Sequence, residues 1–287
     1  MTTEAVSTIG VVGAGTMGAG IAQVAAHSGF DVVLVDQAAP WLDRGLETIT
    51  ASLDRLVSKE RLTADERDAV LGRIEGATDI GYLAGCDLVI EAVTESFPTK
   101  AEVFREVESV VDPETLLATN TSSISISAIG GVLESPDRLV GMHFFNPVPV
   151  LALVEVIRGI RTSDSTVAAV TDVARSMGKT PIEIKDSAGF AVNRLLIPMI
   201  NEAVTMVDEG VASVDDIDVA MTLGASHPMG PLALADLIGL DVCLSIMEVL
   251  HADLGENYRP ASLLRRMVAS GQLGRKSGQG FHTYERT

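Results

Sequence analysis

The sequence predicts an α/β chain, with a doubly wound, largely parallel sheet in residues 1–186 and an all-α domain in residues 187–287. Three observations carry that prediction. The chain opens with a strand, a glycine-rich turn, a helix and a second strand. Short runs of β-branched residues then alternate with helical segments, which implies one sheet extending beyond residue 155, and from residue 190 helix signals recur with little strand signal.

Residues 8–12, TIGVV, read as a short buried strand, and residues 16–28, rich in Ala with Gln and Met, as a helix ended by Gly29. DVVLV at 31–35 is a second strand. Strand, helix and strand joined by short connections form a parallel βαβ unit. Within its first turn Gly13, Gly15 and Gly18 make G-x-G-x-x-G, with Ala14, Thr16 and Met17 between them. The first glycine permits a tight turn, the second lets a pyrophosphate approach the backbone, and the third lets helix and strand pack closely. The helix N-terminus adds unpaired N–H groups and positive dipole. Asp36 ends the second strand, eighteen residues after Gly18. An acid there accepts hydrogen bonds from ribose hydroxyls and repels the extra phosphate of NADP, so the unit reads as a Rossmann-type site for NAD.

Residues 40–72 are helical and highly charged, with a break near Leu62–Thr63, where T-x-D-E has the form of a helix start. RIEGAT and CDLVIEAV are strand-like, a helix starts at about Pro98, LLAT is a strand leading into the polar turn NTSS, and DRLVGMHFF is a further strand. Ligands of such sheets bind beyond the carboxyl ends of the strands. Glu95 and Lys100, then Asn120 to Ser123, then His143 and Asn146 fall at three of those ends. Each alone is also ordinary turn chemistry.

HFFNPVPVLALVEVIRG, residues 143–159, places two titratable groups in an apolar run. On one continuous strand His143 and Glu155 would stand roughly 40 Å apart at about 3.3 Å per residue. Asn146-Pro147-Val148-Pro149 prevents a continuous strand, because each proline removes a donor and restricts its predecessor. The chain should turn there and return as LALVEVI, which lets the two side chains approach. A carboxylate beside an imidazole fixes its tautomer and suits the ring to taking a proton from an alcohol. The alternative is a satisfied core histidine and a separately paired glutamate.

In the second half, Ser213 in SVDDIDVAM caps a helix, and GPLALADLIGLDVCLSIMEVL and ASLLRRMVASG supply further helices. Asn193 and Arg194 stand early on the first long helix, where an Asn needs a hydrogen-bond purpose. LGRKSGQGFHTY places Arg275 and Lys276 on a basic, glycine-rich loop, which either reaches an anionic cofactor or is an ordinary solvated loop. The repeated apolar faces fit dimerisation through this domain, or docking on the first.

With a formal net charge of -18 and no basic block, the chain is a poor nucleic-acid binder. Cys86 and Cys243 lack metal-ligand spacing and form no disulfide framework, which fits reduced thiols in the cytoplasm and no metal site. MTTEAVSTIGVVGAG has no basic region before its apolar run, so no signal peptide is expected. No apolar stretch of about 18 residues predicts a membrane span.

GAGTMGAGIAQVAA, NTSSISI, HFFNPVPVLALVEVIRG, DSAGFAVNRLL, HPMGPLALADLIGLD and LGRKSGQGF occur in that order between residues 8 and 285. On these segments the chain resembles the L-3-hydroxyacyl-CoA dehydrogenases, most of all the single-function bacterial 3-hydroxybutyryl-CoA dehydrogenases. The resemblance implies NAD-dependent, reversible oxidation of a (S)-3-hydroxyacyl-CoA. It implies His143 as catalytic base with Glu155 orienting it, and Ser122 and Asn193 at the substrate's reacting oxygen. It implies NAD contacts at residues 13–18, Asp36, Glu95, Lys100, Ser122, Asn146 and Lys276. Ser52 and Lys59 match coenzyme A contacts, and a homodimer through the helical domain is implied. His282 departs from the pattern, standing where the family usually has an aromatic residue after the Phe. Two other readings of the scaffold are a dehydrogenase of free hydroxy or sugar acids and a non-catalytic NAD-binding protein.

Overall fold

A computed structural model describes residues 6–285; residues 1–5, which begin the leader reading, and 286–287 lie outside the described part. The chain divides into two compact units, one ending at Asp186 and the other beginning at Ser187.

The first unit runs β1 (Thr8–Val12), α1 (Thr16–His27), β2 (Asp31–Val35), α2 (Ala39–Ser58), α3 (Ala64–Leu71), β3 (Ile74–Ala77), β4 (Leu88–Glu91), α4 (Phe97–Val110), β5 (Leu116–Thr119), α5 (Ile126–Gly130), β6 (Leu139–Phe144), β7 (Leu153–Arg158), α6 (Asp164–Ser176) and β8 (Thr180–Lys185). Among the described residues the strands form one eight-stranded sheet in the order β3-β2-β1-β4-β5-β6-β7-β8. β1 to β6 are mutually parallel, as crossover helices require. The strand order reverses between β1 and β4, and there the loops after the two strands diverge and leave a crevice.

Central strands buried on both faces need continuous apolar runs, which Val11, Val12, Leu88 to Ile90 and Val140 supply. Val11, Leu88, Ile90 and Val140 share one core with Ile21, Ala22 and Ala25 of α1 and Ile49 and Leu53 of α2. The T-x-D-E start of α3 is a capping box: the Glu66 N–H donates to the Thr63 hydroxyl at 3.2 Å, and the Thr63 N–H donates to the Glu66 carboxylate at 2.8 Å.

The prolines of the 146–149 segment turn the chain, and β7 returns antiparallel to β6 with His143 directly opposite Glu155. α6 and β8 continue the sheet unit beyond residue 155, as the alternation implies, although no individual sequence segment marks them. β8 pairs parallel with β7, but its residues TPIEIK are largely exposed or half-buried, so no buried apolar run marks it.

The second unit holds α7 (Val192–Asp208), α8 (Val214–Val219), a π-helical turn over Ala220–Gly224, α9 (Pro231–Ile238), α10 (Leu240–Leu254) and α11 (Ser262–Ala269). Its core gathers Ile197, Ile200, Val204, Leu232, Cys243, Met247, Leu250 and Leu264. Asp236 is 1% exposed and staples the tail, accepting the Phe281 and His282 N–H groups at 3.0 and 2.8 Å and the Tyr284 hydroxyl at 3.1 Å. The His282 ring pairs with Asp218 at 2.9 Å, so the departure from the family pattern is a tail-anchoring contact.

Candidate active site

The site begins at the turn after β1. Gly13 has φ +102, and a Cβ there would stand 2.8 Å from the Ala92 carbonyl oxygen, in the loop after β4. A Cβ on Gly18 would overlap the Gly13 carbonyl, so α1 starts closer to the turn than any side chain allows. At Gly15 a Cβ meets nothing within 4 Å, because the residue faces a cavity of about 750 Å³. The cavity runs from Gly13 and Gly15 past Asp36 to Ala92, Val93 and Thr94, on both sides of the point where strand order reverses. Asp36 is tied to the same turn, accepting the Ala14 N–H at 2.9 Å and the Ala38 N–H at 3.2 Å. The open face of Gly15, the helix N-terminus behind it and the acid at the end of β2 fit a dinucleotide. Thr16 is exposed and Met17 half-buried in the first turn of α1.

At the ends of β4 and β5 a polar network forms. Glu95 accepts the Thr121 hydroxyl at 2.6 Å and the Ser122 and Ser123 N–H groups at 2.9 and 3.0 Å, with their hydroxyls at 3.2 and 3.1 Å. Burial alone would raise the Glu95 carboxyl. The charge of Lys100 and the hydrogen bonds from Thr121, Ser122 and Ser123 outweigh it and hold the group below its ordinary value. Glu95 thereby fixes the backbone that carries Ser122. Lys100 is 1% exposed, with Nζ 2.7 Å from Glu91 Oε1 and 3.4 Å from Glu95 Oε2. Glu91 is fully buried and also accepts the Val93 N–H and the Thr119 hydroxyl, each at 2.7 Å. Glu91 ends an apolar run, and its opposite charge to Lys100, nine residues on, is the only mark of the pair in the sequence.

His143 and Glu155 meet across the β6–β7 pair. Nδ1 of His143 lies 2.7 Å from Glu155 Oε2, with the residues 6% and 0% exposed. The Phe145 ring lies 4.5 Å from the His143 ring, tilted by 51°. Asn120 accepts the Phe144 N–H at 2.9 Å, locking the ends of β5 and β6 together. Lys179 donates to the carbonyls of Val148 and Leu151 and so clamps the proline turn. Asn146 is exposed at that turn. Ser122 follows β5, His143 is the penultimate residue of the neighbouring β6 and Asn146 follows β6, so all three stand at the same carboxyl edge.

The remaining predicted residues lie elsewhere. Ser52 is half-buried on α2, and Lys59, exposed, is the residue that caps its C-terminal end. Asn193 is the second residue of α7, in the second unit. Lys276, also in that unit, has Nζ 2.6 Å from Asp241 Oδ2. Among the described residues no three His, Cys, Asp or Glu side chains gather as a metal-holding group. Burial pushes the Cys86 and Cys243 thiols up to about 12, which disfavours the thiolate form of both.

A glycine turn under a switch-point cavity, followed along the sheet edge by a buried imidazole–carboxylate pair, defines a dinucleotide-binding protein equipped for proton transfer. The NAD binding domain of 3-hydroxyacyl-CoA dehydrogenase matches residues 8–187, and the C-terminal domain of the same enzymes matches residues 189–284. The chain belongs to the 3-hydroxyacyl-CoA dehydrogenase family, whose members are NAD-dependent oxidoreductases acting on CH–OH groups. A protein of Deinococcus radiodurans is 55% identical over 276 residues, spanning 96% of this chain and 99% of that protein. The 3-hydroxybutyryl-CoA dehydrogenase of Bradyrhizobium diazoefficiens is 50% identical over 277 residues, spanning 96% and 94%. The crystal structure of (S)-3-hydroxybutyryl-CoA dehydrogenase from Ralstonia eutropha superposes with a TM-score of 0.96 at 50% identity, covering 98% of this chain and all of that one.

Proposed function

We propose that the protein oxidises (S)-3-hydroxybutyryl-CoA to acetoacetyl-CoA, reversibly, with His143 as the general base and acid. The observation that carries this reading is the 2.7 Å contact between His143 Nδ1 and Glu155 Oε2 inside the sheet edge. A carboxylate on Nδ1 holds that nitrogen protonated and makes Nε2 the nitrogen that receives a proton. His143 removes the proton of the 3-hydroxyl as the C3 hydrogen departs as hydride, and Glu155 stabilises the imidazolium that forms. In reverse, the imidazolium returns that proton to the ketone oxygen. NAD, when bound, supplies the hydride acceptor. Gly13 to Gly18 and Asp36 hold the cofactor, with Asn146 beside the reacting centre. Glu95 fixes the backbone of Ser122, whose hydroxyl is assigned to the substrate's reacting oxygen. Ser52, on α2, and Lys59, at its C-cap, are assigned to coenzyme A.

No helix among the described residues is long and apolar enough to cross a membrane. A cytoplasmic homodimer with an acyl-CoA substrate and no nucleic-acid partner completes the reading. NADH loss with acetoacetyl-CoA, beside free acetoacetate in a second cuvette, tests it. Oxidation with the thioester alone is the expected result; turnover of the free acid instead would move the assignment to free hydroxy acids.

A further inference from the structure

The cavity beside the glycine turn has an unusual charge balance for a site that takes an anionic ligand. Asp36, Asp79, Glu102 and Glu106 line it, and among the described residues its lining includes no Lys or Arg. Coulomb attraction from the walls therefore does not hold the far end of the cofactor, and the extra phosphate of NADP would meet four carboxylates. Apart from the hydrogen bonds that Asp36 accepts from the ribose, contacts there must come from neutral surface.

Trp41 supplies such surface. It lies in the first turn of α2, five residues after Asp36, and its ring lines the cavity. The residue is 56% exposed, although burial of a side chain of this size is strongly favourable. The Arg44 guanidinium lies 5.8 Å from the centroid of the ring, close enough for a cation–π contact that restrains the indole. Ile80 and Val103 line the same cavity. An exposed, oriented indole beside Asp36 is a face for a flat heteroaromatic base.

We infer that Trp41 is a specificity-determining residue for the cofactor, packing its indole against the adenine end of NAD. The inference rests on NAD as the cofactor. Trp41 anchors the adenosine while Asp36 reads the ribose, so affinity comes from stacking rather than from cationic side chains.

The test uses ADP-ribose, which carries the adenosine and pyrophosphate without the nicotinamide. Trp41 is the sole tryptophan of the chain, so tryptophan emission reports this position alone. Saturating ADP-ribose should change that emission. In Trp41→Ala the Kd for ADP-ribose and for NAD should rise about 5- to 20-fold, the lower part of the range for base–aromatic stacking. Trp41→Phe should recover most of the affinity. The KM for NAD should rise in Trp41→Ala while kcat at saturating NAD and the melting temperature stay unchanged. Wild-type protein that binds ADP-ribose with no change in emission would overturn the inference, as would an unchanged Kd in Trp41→Ala. Failure of the wild-type protein to bind either ADP-ribose or NAD would instead overturn the cofactor assignment on which it rests.

Discussion

His143 and Glu155 are twelve residues apart in the chain and face each other directly across the antiparallel β6–β7 pair, their side chains joined at 2.7 Å. The short return through the proline turn puts a fully buried carboxylate against an imidazole without any long-range assembly. A lone buried carboxylate would be costly, and the ring nitrogen that it holds offsets part of that cost. The pair is therefore both a structural solution and a proton-transfer device.

His143→Gln and Glu155→Gln should each lower kcat by about 10²–10⁴-fold, the usual worth of positioned acid–base catalysis. The Kd for NADH should stay within about twofold in both, because the glycine turn and Asp36 are untouched. Calorimetric titration beside steady-state kinetics separates the two quantities. Full turnover in His143→Gln would remove the histidine from the chemistry.

Asp36 accepts the Ala14 N–H and stands in the wall of the cavity. Asp36→Ala should raise the KM for NADH about 10- to 100-fold, the worth of hydrogen bonds to a charged group. Use of NADPH should rise little in the same variant, since Asp79, Glu102 and Glu106 remain in the lining. Steady-state kinetics with both cofactors checks this. An unchanged KM for NADH would argue against the ribose contact.

Glu108 ties three elements together. It accepts the Glu134 and Ser135 N–H groups at 2.9 and 3.1 Å and pairs with Arg138 at 3.2 Å. Burial alone would raise its carboxyl, but those two backbone hydrogen bonds and Arg138 together hold it below the ordinary 4.5. A carboxyl lowered in the folded state contributes stability that is fully present above the ordinary carboxylate value. That contribution is lost as pH falls through the lowered value. Glu108→Gln should thus be less stable than wild type at neutral pH and lose less stability on acidification. Urea denaturation at neutral pH and again below the ordinary carboxylate value measures the difference. Parallel losses in both proteins would show that Glu108 carries none of the acid sensitivity.

Legibility in the sequence followed how local each determinant was. The βαβ unit, its glycines and Asp36 are readable because each glycine has a separate steric duty within a few residues. The β6–β7 turn is readable because proline forbids the alternative. β8 escaped notice because an edge strand with half-exposed residues has no periodic apolar pattern to distinguish it from a loop. Glu91 is only weakly marked: an opposite charge follows nine residues on, but LVIEAV alone does not say which side chain will satisfy it. That depends on where α4 delivers Lys100.

Lys100 is where the family resemblance and the geometry assign different duties. Resemblance makes it a contact to NAD; the structure makes it, at 1% exposure, the partner of a fully buried Glu91 beneath the carboxyl ends of β4 and β5. Removing one member of a buried ion pair leaves the other uncompensated, at a cost of about 3–5 kcal/mol. Lys100→Met should therefore destabilise the protein by about that amount. Glu91→Gln added to Lys100→Met should recover part of the loss, because a carboxamide oxygen still accepts the Val93 N–H or the Thr119 hydroxyl without a stranded charge. Chemical denaturation of the single and double variants measures both steps. A Lys100→Met protein with wild-type stability and a raised KM for NADH would return the lysine to the cofactor and remove it from the frame of the sheet.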